Sequence, residues 1–243
     1  MKTIGLIGGM SWESSIEYYR VINETTKAKL GGFHSAKSVM VSVDFAEIET
    51  LQHQGNWQAA AHALSMAAKS VEKGGADFIV LCTNTMHKVA NEIQASIHIP
   101  LLHIVDATAR QIHARGLETI GLLGTRFTME EDFFKGRLIA EFDLKVIVPT
   151  PPEREVVHRV IFDELCVGAI RQTSKAQFVA IIERLAKSGA EGIILGCTEI
   201  GLLVHDKDSS IPLFDTTKIH AMAAVEYALE ANGGSEPIST IRE

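Results

Sequence analysis

Along the chain, short runs rich in β-branched and other apolar residues alternate with longer stretches in which apolar positions recur every three or four residues. The short runs predict strands over Thr3–Ile7, Ser38–Val43, Phe78–Leu81 and Leu101–Ile104, and again over Thr119–Leu123, Lys145–Val148, Gly192–Leu195 and Pro212–Phe214. The longer stretches predict helices, among them Trp57–Lys73, Thr108–Ala114, Glu155–Glu164 and Gln177–Lys187. Strands that alternate with helices make βαβ units, which assemble parallel sheets.

The two sets of strands repeat each other. Ile4-Gly5-Leu6-Ile7-Gly8 recurs as Ile120-Gly121-Leu122-Leu123-Gly124, and Ile99-Pro100-Leu101 recurs as Ile211-Pro212-Leu213. Between them, the segment from Gly75 to Cys82-Thr83 recurs from Gly189 to Cys197-Thr198, with one extra residue, Gly196, before the second cysteine. Collinear matches at a nearly constant offset point to a duplicated half. The expected architecture is α/β: two pseudo-symmetric lobes, each a small parallel sheet with helices on both faces. Residues 1–100 and 215–243 are assigned to the first lobe and residues 101–214 to the second. Ligands bind such sheets beyond the carboxyl ends of the strands, so the expected active site is an interlobe cleft flanked by Cys82 and Cys197.

Both cysteines are expected where a strand stops and a helix is about to start. Backbone N–H groups and the positive helix end then favour the thiolate and lower the thiol pKa. Thr83, Asn84, Thr85 and Thr198 supply hydroxyl and amide groups suited to holding a carboxylate. Two acid-base groups on opposite faces of a carbon are what stereoinversion requires, one removing a proton and the other returning it. Each cysteine also fits a plainer description as a small buried hydrophobe, the usual state of a free thiol. Metal binding is disfavoured because no C-x-x-C or H-x-x-x-H spacing occurs, although folding could bring His87 and His103 near Cys82. The turn Gly8-Gly9-Met10-Ser11 reads either as an anion cradle or as a tight strand-to-helix bend, and it lacks the G-x-G-x-x-G spacing of a dinucleotide site.

Composition narrows the partners. A net charge of -7 without clustered Lys and Arg argues against nucleic acid. No apolar run is long enough to span a bilayer, so no membrane partner is expected. Three cysteines and no secretory pattern fit a reducing, cytoplasmic setting.

The segments Ile7-Gly8-Gly9-Met10-Ser11, Cys82-Thr83-Asn84-Thr85-Met86-His87, Leu123-Gly124-Thr125-Arg126-Phe127-Thr128 and Gly196-Cys197-Thr198-Glu199 resemble the aspartate/glutamate racemase family, and most closely its broad-specificity amino-acid members. That resemblance implies flavodoxin-like lobes, a two-thiol mechanism without pyridoxal phosphate or any other cofactor, an amino-acid substrate and a homodimer. It makes Cys82 and Cys197 the two bases, and Met10, Thr83, Asn84, Thr85, Thr125 and Thr198 contacts of the substrate carboxylate or amine. Gln52 is a further candidate contact, and Glu199 is one that also tunes the proton affinity of Cys197.

Two departures bear on substrate. Aspartate-specific relatives carry an Arg shortly after the second strand, where this chain reads Val43-Asp44-Phe45-Ala46-Glu47-Ile48, and a Lys where this chain has Cys166. Arg126 and Arg159 are possible replacements, although a surface arginine with its stem packed on the helix is the commoner case for such residues. Asp106 and Asp215 read as helix N-caps, and Glu130-Glu131-Asp132 as an acidic first helical turn. Rival readings are another racemase or isomerase of the same superfamily, or a non-catalytic two-lobed amino-acid sensor. A disulfide between Cys82 and Cys197 is a further possibility that the sequence raises.

Overall fold

The structure is a computed structural model that describes residues 1–230. The part of the first-lobe assignment covering residues 231–243 lies outside the described residues. By internal contacts the described residues divide into two units, one formed by Met1–Ile104 with residues 220–230, the other by Val105–Ile219.

In the first unit, strands β1 (Ile4–Gly8), β2 (Ser38–Ser42), β3 (Phe78–Leu81) and β4 (Leu101–Leu102) form a parallel sheet in the order β2-β1-β3-β4. Helices α2 (Phe45–His53), α3 (Trp57–Lys73) and α4 (Ala90–Ala95) enclose one core with Ile7, Ile79 and Leu81. Helices α1 (Trp12–Leu30) and α11 (Thr216–Leu229) contribute to a second core with Ile4, Leu6, Phe78 and Val80. Coverage of both faces explains why β3 is a continuous apolar run instead of an alternating one.

Helix α3 shows how sequence produces this packing. Asn56 caps it, its Oδ1 accepting from the Ala59 N–H at 3.2 Å. Ala60, Leu64, Ala67, Ala68 and Val71 then recur at helical spacing and are buried. Burial of a side chain such as Leu64 contributes about 2 kcal/mol each. The alanines between them let the helix lie close to the sheet.

The second unit repeats the plan. Its strands β5 (Thr119–Gly124), β6 (Lys145–Ile147), β7 (Gly192–Gly196) and β8 (Leu213–Asp215) are parallel in the order β6-β5-β7-β8. Helices α8 (Pro151–Asp163) and α9 (Gln172–Lys187) and the short α10 (Ile200–Leu203) pack against Ile193 and Leu195. Equivalent hydrogen bonds recur in both units. The Asp77 N–H donates to the Thr3 carbonyl at 2.9 Å and the Glu191 N–H to the Thr119 carbonyl at 2.8 Å. Similarly, Ile79 N–H donates to the Pro100 carbonyl at 2.8 Å and Ile193 N–H to the Pro212 carbonyl at 2.9 Å.

Three local expectations need correction. The fourth strand stops at Leu102, because α5 (Ile104–His113) has already begun where the strand was expected to end. Asp106 is not a cap: it lies in the first turn of α5, fully buried, and accepts from Arg137 Nε at 2.6 Å and Nη2 at 2.9 Å. The acidic run is split between two helices. Glu130 ends α6 (Arg126–Glu130), Glu131 precedes α7 (Asp132–Phe142), and Asp132 alone stands in a first turn. Asp215 does cap α11, accepting from the Thr217 and Lys218 N–H groups at 3.1 and 3.2 Å. Among the described residues, no helix is long and apolar enough to cross a membrane.

Candidate active site

In the second unit β7 ends at Gly196, Cys197-Thr198-Glu199 form the connection, and α10 starts at Ile200. Ligand-binding groups in open parallel sheets are expected at such strand ends. Side chains alternate along β7, so Ile193, Leu195 and Cys197 share the face covered by α8 and α9. The Glu199 carboxylate is 1% exposed and turns back on the same connection. Its Oε2 accepts from Cys197 Sγ at 2.9 Å and from Thr198 Oγ1 at 2.7 Å. Thr125, one residue beyond the Gly124–Gly196 pair, caps α6 by accepting from the Thr128 N–H at 3.3 Å.

The register of the first unit identifies what stands in the place of Cys197. Ile7 pairs with Leu81 and Leu123 pairs with Leu195, so Leu81 corresponds to Leu195, Cys82 to Gly196, and Thr83 to Cys197. Alternation agrees with this assignment. Ile79 and Leu81 face the α3 core, which corresponds to the α9 core of the second unit, whereas Phe78, Val80 and Cys82 face the α1 and α11 core. The Cys82 sulfur is fully buried among Ile4, Leu6, Tyr18 and Phe78, and donates weakly to the Val80 carbonyl at 3.7 Å. Its counterpart Gly196 has no room for a side chain, since a Cβ there would meet the Leu123 carbonyl oxygen at 2.7 Å. The expected equivalence of Cys82 and Cys197 is therefore corrected: Thr83 is the register equivalent of Cys197. A thiol enclosed in the first-unit core is also poorly placed for the disulfide considered above.

The expected lowering of thiol pKa is likewise corrected. Burial pushes the Cys82 thiol well above its ordinary value. Burial does the same to Cys197, reinforced by the Glu199 carboxylate and by the nearby Cys166. The Glu199 backbone N–H does favour the thiolate, but it is outweighed. The helix-start contact is real but minor, because α10 is only 4 residues long and the thiol is buried.

Thr83, Asn84 and Thr85 lead into a 3-10 turn over Thr85–Val89 and are all buried. His87 holds this segment. Its Nδ1 lies 2.8 Å from the Thr83 carbonyl and its Nε2 accepts from the Ile104 N–H at 3.2 Å, which places the proton on Nδ1 and leaves the ring neutral. The His103 ring packs edge-on against it at 4.6 Å between centroids. Tyr18 and His220 extend the buried polar group, with Tyr18 Oη 2.9 Å from His220 Nδ1. In the sequence His87 and His103 stand out only as residues that folding could bring near Cys82. The H at the end of Cys82–His87 was the available signal for a loop anchor.

Met10 is buried in the α3 core with Ile7 and Ile48. Gln52 is also buried, its Nε2 2.9 Å from Met86 Sδ, and so braces the same 3-10 turn. Arg126 turns to Glu155 at 2.5 Å on the surface, Arg159 is exposed, and Cys166 is half-buried against the α8 and α9 core. Among the described residues, no three His, Cys, Asp or Glu side chains converge as metal ligands.

Comparison with known proteins gives a consistent picture. The pattern of the family described as Asp/Glu/Hydantoin racemase matches residues 7–224. The broad specificity amino-acid racemase RacX of Bacillus subtilis is 28% identical over 175 residues, which is 69% of this chain and 71% of that protein. A Yersinia pestis structure described provisionally as an Asp/Glu racemase is 57% identical, with a TM-score of 0.88 over 95% of this chain and 100% of that one. An aspartate racemase homologue from Pyrococcus horikoshii OT3 is 36% identical, with a TM-score of 0.82 over the same shares.

Proposed function

Because the chain belongs to the Asp/Glu/hydantoin racemase family, we propose that it inverts amino acids at Cα, with Cys197 as one acid-base group and Thr83 in the place of the other. The observation that carries this reading is the placement of Cys197 at the end of β7 with its sulfur 2.9 Å from the Glu199 carboxylate. Such a sulfur has a proton acceptor beside it and can exchange a proton with a bound substrate. Thr83 is held at the register-equivalent position by the His87 contact to its carbonyl.

The chemistry follows from these groups. Deprotonation at Cα leaves a carbanion conjugated with the substrate carboxylate, and hydroxyl and N–H donors around that carboxylate lower its energy. Asn84, Thr85 and Thr125 are the side-chain donors in this reading, while the Thr198 hydroxyl is given to Glu199 and the Thr83 hydroxyl to Cα. Inversion needs the proton returned to the opposite face of Cα, which is the role assigned to the Thr83 hydroxyl; the alkoxide left on Thr83 is reprotonated by water as Cys197 releases to water the proton it took. A hydroxyl donates to a carbanion readily but is a weak base, so Cys197 does the proton removal. No step calls for pyridoxal phosphate.

Aspartate, glutamate or a wider set of amino acids is the proposed substrate class. No arginine stands in Val43–Ile48 to fix an acidic side chain, and the Bacillus relative is named for broad specificity. The test is to incubate the protein with single enantiomers of aspartate, glutamate and a panel of neutral and basic amino acids, and to follow enantiomeric composition by chiral chromatography. The expected result is inversion of at least one acidic or polar amino acid without added cofactor. Absence of inversion with every member of the panel rejects the reading.

A further inference from the structure

We propose that Glu199 is the positioning residue that holds the proton of Cys197, so that thiol and carboxylate share one proton and one negative charge. This rests on the racemase reading for its use in catalysis, but not for its detection. The pair is close and enclosed: Sγ and Oε2 are 2.9 Å apart, with Cys197 8% and Glu199 1% exposed. Two negative charges at that separation, away from water, are strongly disfavoured. The accessible one-proton forms are therefore thiol with carboxylate, and thiolate with carboxylic acid. Thr198 Oγ1 donates to the same Oε2 at 2.7 Å, fixing that oxygen toward the sulfur in either form.

The transfer balances internally. The Cys197 S–H bond breaks, an O–H bond forms on Glu199 Oε2, and the electron pair stays on sulfur. The thiolate then takes the Cα proton, leaving the pair of electrons on carbon while Glu199 keeps its own proton. When Cys197 returns a proton to Cα, the thiolate and carboxylic acid are restored. A thiol without such a partner would have to lose its proton to solvent, which burial opposes.

Other titratable groups on the surrounding elements of the second unit have other partners: Glu164 accepts from Ser174 Oγ at 2.7 Å, and Asp208 pairs with Lys175 at 2.7 Å. Cys166 is half-buried in the turn over Leu165–Val167, close enough that its own ionisation would disfavour the Cys197 thiolate. Asp215 at the end of β8 lies against Gly201 of α10 and is paired with Lys218 at 3.3 Å. His158 of α8 accepts from the Arg126 N–H at 3.2 Å, and Arg126 pairs with Glu155. None of these donates to or accepts from the Cys197 sulfur, so Glu199 is the group with which its proton is exchanged.

The test is the rate of Cys197 alkylation by iodoacetamide between pH 6.5 and 8.5, read on the Cys197 peptide by mass spectrometry so that Cys82 and Cys166 do not contribute. Thiolate is the reacting form. The proposal predicts a nearly flat profile for the wild-type protein and a rise of about tenfold per pH unit for Glu199→Gln, with Glu199→Asp restoring flatness. The racemisation kcat/KM follows the same profiles, and Glu199→Gln falls at least about 100-fold at pH 7. A wild-type rate that climbs about tenfold per pH unit overturns the proposal, as does a Glu199→Gln profile as flat as wild type. The wild-type profile decides even if a variant does not fold. A flat profile in a protein that inverts no amino acid would reject the racemase reading and leave the Glu199 partnership standing.

Discussion

At the scale of single residues, the two cysteines that look equivalent in sequence occupy different physical settings. Cys82 lies wholly inside a core, and Cys197 lies at a strand end with a carboxylate on its sulfur. A buried thiol whose pKa is raised on folding stabilises the folded state fully below the unfolded value of about 8.5, and that contribution is lost as pH rises toward the folded value. Above pH 8.5 the unfolded chain sheds protons that the folded chain keeps, so stability falls by up to about 1.4 kcal/mol per pH unit for each such group. Cys82→Ala removes one of them. Denaturant melts from pH 8 to 10.5 should therefore show a shallower alkaline decline in the variant, offset by an overall loss of about 1 kcal/mol from the emptied volume. An unchanged slope would mean that the Cys82 thiol is not buried as described. The Cys-Thr dipeptide is legible as a repeated motif, but aligning the two copies on it puts the strands one residue out of step. A one-residue slip in a strand transfers every side chain to the other face. The unbroken 114-residue offset from Gly75/Gly189 to Leu81/Leu195 already placed Thr83 opposite Cys197.

At the scale of elements, periodicity and repetition carried most of the fold. β3 and α3 begin and end where the pattern predicts, because a fully covered strand and a capped amphipathic helix each have strong local signals. The pattern failed where tertiary partners decide. Asp106 has the composition of a cap, yet it is used by Arg137 from a helix 31 residues away in sequence. The thiol pKa values were misread because burial is a property of packed elements, invisible in a local motif. Two glycines show how tightly the strand ends are built. Gly9 has φ of 93°, and a Cβ there would meet the Val43 carbonyl oxygen at 2.2 Å. A Cβ on Gly196 would meet the Leu123 carbonyl oxygen at 2.7 Å. Gly196→Ala should cost about 2 kcal/mol in denaturant unfolding, and should reduce activity by displacing the adjacent Cys197. Stability and activity both at wild-type level would refute the close packing of β5 against β7 at this point.

At the scale of the whole molecule, two units share one strand order, and membership of a racemase family gives the duplicated plan a chemical purpose. Duplication supplies equivalent positions, and those positions need not keep identical residues. In this chain they hold Thr83 and Cys197. The most direct measurement is Cα deuterium incorporation and inversion of a single amino-acid enantiomer in deuterated water, compared among wild type, Cys82→Ala, Cys197→Ala and Thr83→Ala. The account predicts that Cys82→Ala retains both exchange and inversion, that Cys197→Ala loses both, and that Thr83→Ala still exchanges Cα hydrogen but no longer inverts. Loss of inversion in a folded Cys82→Ala protein, or its retention in Cys197→Ala, would contradict it.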